Sequence, residues 1–153
     1  LREELENPKL LSDFLENSIN VKIVGPWREI VRDQKLVDAI ENIEKQTEKL
    51  NKQFLTILFA YDGKQEVLTA IEQLGGSKVT EQALRKGLWT GHLPDVDLVI
   101  RTGGEPHWSA GFMMWLTANS QFYFTHTLWP DFDKRELKLA LKDFADRARR
   151  MGK

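Results

Sequence analysis

The sequence contains no cysteine, which excludes thiol nucleophiles, zinc–thiolate centres and disulfide frameworks together. It has no surplus of either charge: 22 Lys and Arg stand against 23 Asp and Glu, a formal net charge of −1 at pH 7. A chain that lives by gripping nucleic acid phosphates carries a basic excess, so nucleic acid is not the expected partner. No apolar run approaches the ~20 residues that a spanning helix needs, and the first twenty residues are acidic rather than a signal peptide. A cytosolic or membrane-peripheral protein is expected. Only 5 Pro and 10 Gly occur, with no repeat or linker-like tract, so one α/β domain over residues 1–153 is the simplest organisation. Apolar residues at 41% and charged residues at 29% of 153 suit a globular chain that buries roughly 68–70% of its unfolded surface. The chain starts at Leu1 inside a helical-looking acidic segment, LREELE, and is therefore expected to be the later portion of a longer one.

What is present alternates. Val21 to Val24 reads as a strand ended by Gly25-Pro26, and Leu36, Ile40, Ile43 and Leu50 share one helical face after it. Phe54 to Tyr61 is a nearly continuous apolar strand, the pattern of a parallel sheet covered on both faces. Val67, Leu68, Ile71 and Leu74 mark the next helix, stopped by Gly75-Gly76, and Thr80 caps a short helix running to Gly87. Asp97 to Ile100 and Phe122 to Phe124 read as two more strands, with an apolar helix between them around Met113-Met114-Trp115. Leu137, Leu141, Phe144, Ala148 and Met151 trace the buried face of a last helix. From Lys134 to Lys153 there are eight Lys or Arg against three acids, a solvated face or a surface for phosphates and anionic membrane. Strand and helix in alternation predict an α/β fold with a mostly parallel sheet flanked by helices. Four strands are few for that class, so N-terminal strands are expected to be missing from this chain.

In open α/β sheets ligands bind beyond the carboxyl ends of the strands, which singles out Gly25-Pro26-Trp27-Arg28, Tyr61-Asp62-Gly63-Lys64 and Arg101-Thr102-Gly103-Gly104-Glu105 on one sheet edge. The third is the richest. An Arg closes the strand, two glycines free backbone N–H groups to approach a ligand, and His107 and Ser109 follow; that set suits a diphosphate. A plain turn, with Arg101 paired to Glu105 or Asp97, reads the same residues equally well. No phosphate-binding GxxxxGK[ST] loop, GxGxxG, GxSxG or HExxH occurs, and His92, His107 and His126 lack metal-site spacing. Trp89, Trp108, Trp115 and Trp129 are read as core or rim packing rather than a base-stacking set.

The segment DLVIRTGGEPHWSAGFMMWLTANSQFYFTHTLWPDF, residues 97–132, resembles the C-terminal signature of the cis-prenyltransferases, the undecaprenyl diphosphate synthase family. RARRMG at 147–152 is similar to the basic ending of the family core, FAYDGKQEV to its Asn-Tyr-Gly-Gly-Arg segment, and LREELE and VKIVG to the stretch before that. The likeness covers this whole chain but only roughly the C-terminal two-thirds of a family member. It implies an enzyme, homodimeric or heterodimeric, that extends an allylic diphosphate by repeated cis addition of isopentenyl diphosphate, with Mg²⁺ assisting departure of diphosphate. In the family an Arg ending this strand, a second Arg six residues on and a Ser two further hold the isopentenyl diphosphate. Arg101 matches the first and Ser109 the last, with Gly103 and Gly104 in the same loop, while His107 occupies the second Arg position.

The chain departs from the family elsewhere too. The acid that reaches the metal, just before the aromatic run, is Gln121, which keeps an oxygen donor and loses the charge that Mg²⁺ prefers. Ala110-Gly111 stands where the family often has one Asn, and Asp62 replaces a Gly. The family's catalytic Asp, in a His-x-x-Asp-Gly-Asn-x-Arg-like segment, has no counterpart, so no catalytic residue is assigned in this chain. Three functions follow: a cis-prenyltransferase portion, a non-catalytic accessory subunit paired with a competent relative as the Nogo-B receptor type is, or a generic phosphate-binding interaction module. Self-association is expected through the apolar residues at 113–115 and 122–124; the alternative is that these are simply core.

Overall fold

A computed structural model describes residues 2–147. The chain divides into two compact units, the first ending at Asp62 and the second beginning at Gly63.

In the first unit, helix α1 (Arg2–Leu5) and helix α2 (Pro8–Glu16) precede strand β1 (Ile19–Val24), a short helix α3 (Trp27–Ile30), helix α4 (Gln34–Thr47) and strand β2 (Gln53–Leu58). The sequence sets these boundaries by local chemistry. Asn7 accepts from the Lys9 N–H with Pro8 opening α2, and Asp33 accepts from the Lys35 and Leu36 N–H groups at the start of α4. β1 and β2 are parallel, Ile19 opposite Gln53 through Val24 opposite Leu58. Val21 and Ile23 on β1 pack with Leu5, Phe14, Trp27, Ile40 and Ile43 in one core. The outer edge of β1 is closed by α4: the Val21 N–H donates to Thr47 Oγ1 at 3.1 Å and the Ile23 N–H to Glu44 Oε1 at 2.9 Å, while Asn20 Nδ2 donates to the Thr47 and Glu48 carbonyls. An unpaired strand edge is a liability, and here side chains of a helix occupy it.

Two expectations fail in this unit. Leu50 lies beyond the end of α4 rather than on its face. The first half of β2 is open, with Phe54 73% exposed; it pairs with β1 on one side only, so its unbroken apolar run is not covered on both faces.

In the second unit, helix α5 (Gly63–Gln73) and helix α6 (Glu81–Gly87) precede strand β3 (Leu98–Arg101), strand β4 (Gln121–Phe124), one 3₁₀ turn (Trp129–Asp131) and helix α7 (Lys134–Asp146). β3 and β4 are parallel, Leu98 opposite Gln121 and Arg101 opposite Phe124. Thr80 caps α6 by accepting from the Ala83 N–H, and Gly75 and Gly76 end the α5 segment at φ 55° and 84°, as expected. Ala70, Leu84 and Leu88 form a core with Val67 and Trp115 against it.

The helical faces differ from those expected. On α5 the inward residues are Gly63, Glu66 and Ala70, with Leu68 and Ile71 exposed, because the Glu66 carboxylate accepts both the N–H and the hydroxyl of Thr90 at 2.7 Å and turns that face inward. On α7 Ala140 is buried while Leu137 and Leu141 are exposed. The turn of α7 is set by polar anchors: Glu136 bonds to Thr125 and Thr127, and Arg147 to the Phe122 carbonyl. Ala148 and Met151, and residues 148–152 of the basic ending, lie outside the described residues. Residues 110–119 form successive turns in place of the expected helix, since Ala110, Gly111 and Met113 all have positive φ, which a right-handed helix does not admit. Met113 and Leu116 are core, not a surface patch. Within the described residues no helix is long and apolar enough to cross a membrane.

Asp133, the N-cap of α7, accepts from the Glu136 and Arg135 N–H groups, and those bonds hold its carboxyl below the usual carboxylate range. A lowered folded-state pKa adds stability above the unfolded pKa, lost as pH falls through the folded one. Asp133→Ala is therefore expected to lower the melting temperature at neutral pH, the difference from wild type shrinking as pH drops below 4. A difference independent of pH in thermal melts would contradict this cap.

Candidate functional site

Arg101 is the last residue of β3, so its side chain leaves the sheet at the carboxyl edge of the β3–β4 pair. Its side chain is 25% exposed. Its Nε donates to the Glu105 carbonyl at 2.7 Å, and one terminal nitrogen lies 3.4 Å from Glu105 Oε2 and 3.3 Å from His107 Nε2. Arginine only donates, so His107 Nε2 must accept here. His107 Nδ1 lies 3.5 Å from Glu105 Oε2. Arg101, Glu105 and His107 thus form one polar group, in which Arg101 ends the strand paired with Glu105, as the plain-turn reading has it. The carboxylate is 68% exposed, and a surface pair of this kind contributes only about 0–1 kcal/mol.

The two glycines serve this loop differently from the expectation. Their N–H groups are not held out for a ligand: Gly103 donates to the Thr127 carbonyl and Gly104 to the Thr125 carbonyl, both at 2.9 Å. What glycine supplies is conformation, φ 90° and 76°. At Gly103 an added Cβ would meet nothing within 4 Å, whereas at Gly104 it would lie 2.8 Å from His126 Nδ1. The Thr125–Thr127 turn that receives these bonds is itself braced, the two hydroxyls 3.1 Å apart and both reaching Glu136 Oε2. Thr125, Thr127 and Glu136 were not legible as site residues; the only signal is the i, i+2 threonine pair directly after an aromatic strand.

Ser109 stands beyond the Arg101–Glu105–His107 group in an exposed turn, closed by its own carbonyl accepting from the Phe112 N–H at 2.9 Å and by Trp108 Nε1 donating to the Phe112 carbonyl at 2.8 Å. Gln121 is elsewhere. It begins β4 opposite Leu98, three residues and roughly 10 Å along the strands from the Arg101 end, with Oε1 buried and unpartnered. Among the described residues no three His, Asp or Glu side chains gather where a metal ion could sit. A lone carboxamide does not make the oxygen-rich, charged donor set that Mg²⁺ requires; these residues do not by themselves fit a magnesium site.

Of the other two candidate loops, Gly25-Pro26-Trp27-Arg28 is structural. A Cβ at Gly25 would overlap the Phe59 carbonyl oxygen, Trp27 is buried with Nε1 donating to the Ile23 carbonyl at 3.1 Å, and the Arg28 guanidinium lies 4.1 Å above its ring. The 61–64 segment straddles the boundary of the two units.

Comparison with known proteins supplies the frame for this site. The family model described as "Putative undecaprenyl diphosphate synthase" matches residues 2–152. An isoprenyl transferase of Thermus thermophilus is 34% identical over 153 residues, covering 92% of this chain and 57% of that protein. A probable undecaprenyl diphosphate synthase of Campylobacter jejuni superposes with a TM-score of 0.80 at 26% identity, over 99% of this chain and 69% of that one. Lavandulyl diphosphate synthase of Lavandula x intermedia, solved with dimethylallyl diphosphate, has the same fold, with a TM-score of 0.88 at 22% identity over 99% of this chain and 68% of the other. The chain spans somewhat over half the length of the curated relative and carries the parallel-strand and helix arrangement of these structures. It belongs to the undecaprenyl diphosphate synthase family of prenyltransferases.

Proposed function

We propose that this chain carries the isopentenyl diphosphate site of a cis-prenyl chain-elongating transferase, which condenses isopentenyl diphosphate with an allylic diphosphate to give a polyprenyl diphosphate. The observation that supports it is the Arg101 guanidinium at the carboxyl edge of β3, oriented by the Glu105 carbonyl and paired only with an exposed carboxylate, a weak surface pair. Arg101 grips the diphosphate, Ser109 adds a hydroxyl from the following turn, and Gly103 and Gly104 hold the loop at positive φ, which glycine adopts without strain. Fixing the diphosphate end orients the alkene of the same molecule toward its allylic partner, and this positioning is what these residues contribute to rate. No step is assigned to Mg²⁺ through residues of this chain. The test is incorporation of labelled isopentenyl diphosphate into polyprenyl product by the purified protein given an allylic primer; no incorporation, alone or with a relative, would contradict the proposal.

His107 lowers the expected affinity. A family arginine there would be charged and bidentate, whereas the His107 imidazole is already in contact with Arg101. His107→Arg is expected to tighten isopentenyl diphosphate binding by roughly tenfold, the value of one charge-assisted bond, read as a lower KM with kcat little changed. A KM that stays put or rises would remove position 107 from the site.

A second reading is favoured by His107 and Gln121 together: substrate and metal positions altered in this way suit an accessory subunit that acts in a heterodimer with a catalytic relative, where the first reading implies a homodimer. Co-purification with that relative, and activity confined to the mixture, distinguishes it. In either case the basic face of α7 is the surface for peripheral contact with an anionic membrane.

A further inference from the structure

We propose that Gly63 is a positioning residue for the loop that carries Ser109. The inference rests on the reading of that loop as the isopentenyl diphosphate site. α5 begins at Gly63, and its first N–H donates to the Ala110 carbonyl at 2.9 Å. The backbones meet there with no side chain between them: a Cβ at Gly63 would overlap the Gly111 carbonyl oxygen and lie 2.6 Å from the carbonyl carbon and 3.3 Å from Gly111 Cα. The obstacle is backbone on both sides, so it cannot be relieved by a rotamer change. The Ser109–Gly111 turn would have to retreat by roughly 1 Å in a close-packed setting.

That turn has little freedom to absorb the displacement. Ala110, Gly111 and Met113 already occupy positive φ, Trp108 and Phe112 close the segment by the indole hydrogen bond, and Met113 and Leu116 anchor it in the core. A displacement of Gly111 is therefore passed back along the chain to Ser109. Gly63 therefore sets the height of the Ser109 hydroxyl relative to Arg101, which is fixed independently by the β3–β4 ladder and the Thr125–Thr127 brace. Misplacing a positioning group by about 1 Å can cost about 10²-fold in rate.

The test uses a control of matched severity. A Cβ at Gly91 would likewise overlap a carbonyl oxygen, that of Arg85, and lie 2.9 Å from its carbon, in the same unit but outside the site. Isopentenyl diphosphate is titrated into wild type, Gly63→Ala, Gly91→Ala and Arg101→Ala. The proposal expects Gly63→Ala to weaken binding about tenfold or more while Gly91→Ala stays within about twofold. Equal binding by the two glycine variants would overturn it. Failure of the site reading looks different, because Arg101→Ala itself then binds like wild type. Should Gly63→Ala not fold, amide exchange in wild type decides: with isopentenyl diphosphate at about 100 Kd the Gly63 N–H, bonded to Ala110, is expected to gain protection by up to about 100-fold, and the Gly91 N–H, bonded to Leu88, to gain little. No gain at Gly63 would equally overturn the proposal.

Discussion

Arg101→Ala is expected to weaken isopentenyl diphosphate binding by about 100-fold while leaving the melting temperature nearly unchanged. The size follows from what the guanidinium does in each state. Without ligand it bonds the Glu105 carbonyl and meets an exposed carboxylate and the His107 imidazole, partners together worth little to the fold because Glu105 is solvated. With a diphosphate it offers a planar pair of donors to doubly acceptor-rich oxygens, and one or two charge-assisted bonds at about 1.5–3 kcal/mol each correspond to some 10–10²-fold or more. Arg101→Lys should recover charge without the fork geometry and fall between the two. Calorimetric titration with isopentenyl diphosphate, beside a thermal melt, reads both quantities. Unchanged affinity in Arg101→Ala would remove the loop from the substrate site; a large fall in melting temperature would show that the arginine is structural, and that its pairing with Glu105 is its purpose.

Trp27→Ala should have the largest effect on stability, about 3–5 kcal/mol, a large share of the 5–15 kcal/mol that holds a typical domain. Trp27 is completely buried at the centre of the first unit's core, among Phe14, Val21, Ile23, Ile40 and Ile43. Its Nε1 satisfies the Ile23 carbonyl, so truncation removes apolar contact and leaves a buried acceptor unpaired. Trp27→Phe keeps part of the apolar contact while losing the hydrogen bond and one ring of the indole, and is expected to cost less than Trp27→Ala. Urea unfolding midpoints for the pair provide the comparison. If Trp27→Ala left stability intact but abolished binding, the Gly25–Arg28 loop would regain the ligand role for which its place after a strand nominated it.

That loop shows how far local signals reach. Its position after β1 and its Gly-Pro were readable, and a ligand loop and a core plug look alike at that level. Burial of Trp27 depends on Ile40 and Ile43 arriving from α4, a contact no local pattern contains. The same limit explains α5 and α7. Counting apolar residues placed Leu68, Ile71, Leu137 and Leu141 inward, whereas Glu66 bound to Thr90 and Glu136 bound to Thr125 and Thr127 turn those helices the other way. Buried polar groups must be paired, and once paired they outweigh a partial apolar stripe. Residues 110–119 failed as a helix for a backbone reason, the positive φ at three positions, which composition rich in Met, Trp and Leu conceals.

The capped helix starts at Asn7, Asp33, Thr80 and Asp133, the arginine at the end of β3 and the family signature from Asp97 to Phe132 were all fixed by short-range chemistry, because caps, alternation and turn glycines act within a few residues of themselves. The three-dimensional arrangement alone determined what those pieces do to one another. It turned the Gly103 and Gly104 N–H groups to the Thr125–Thr127 turn instead of to a ligand, joined Arg101 to both Glu105 and His107, set Gln121 at the far end of the strand from Arg101, and brought Gly63 against Gly111. Each of these is a contact across distant or folded-back segments whose existence depends on how close two backbones can approach, and that distance is set by packing rather than by any residue's own preference.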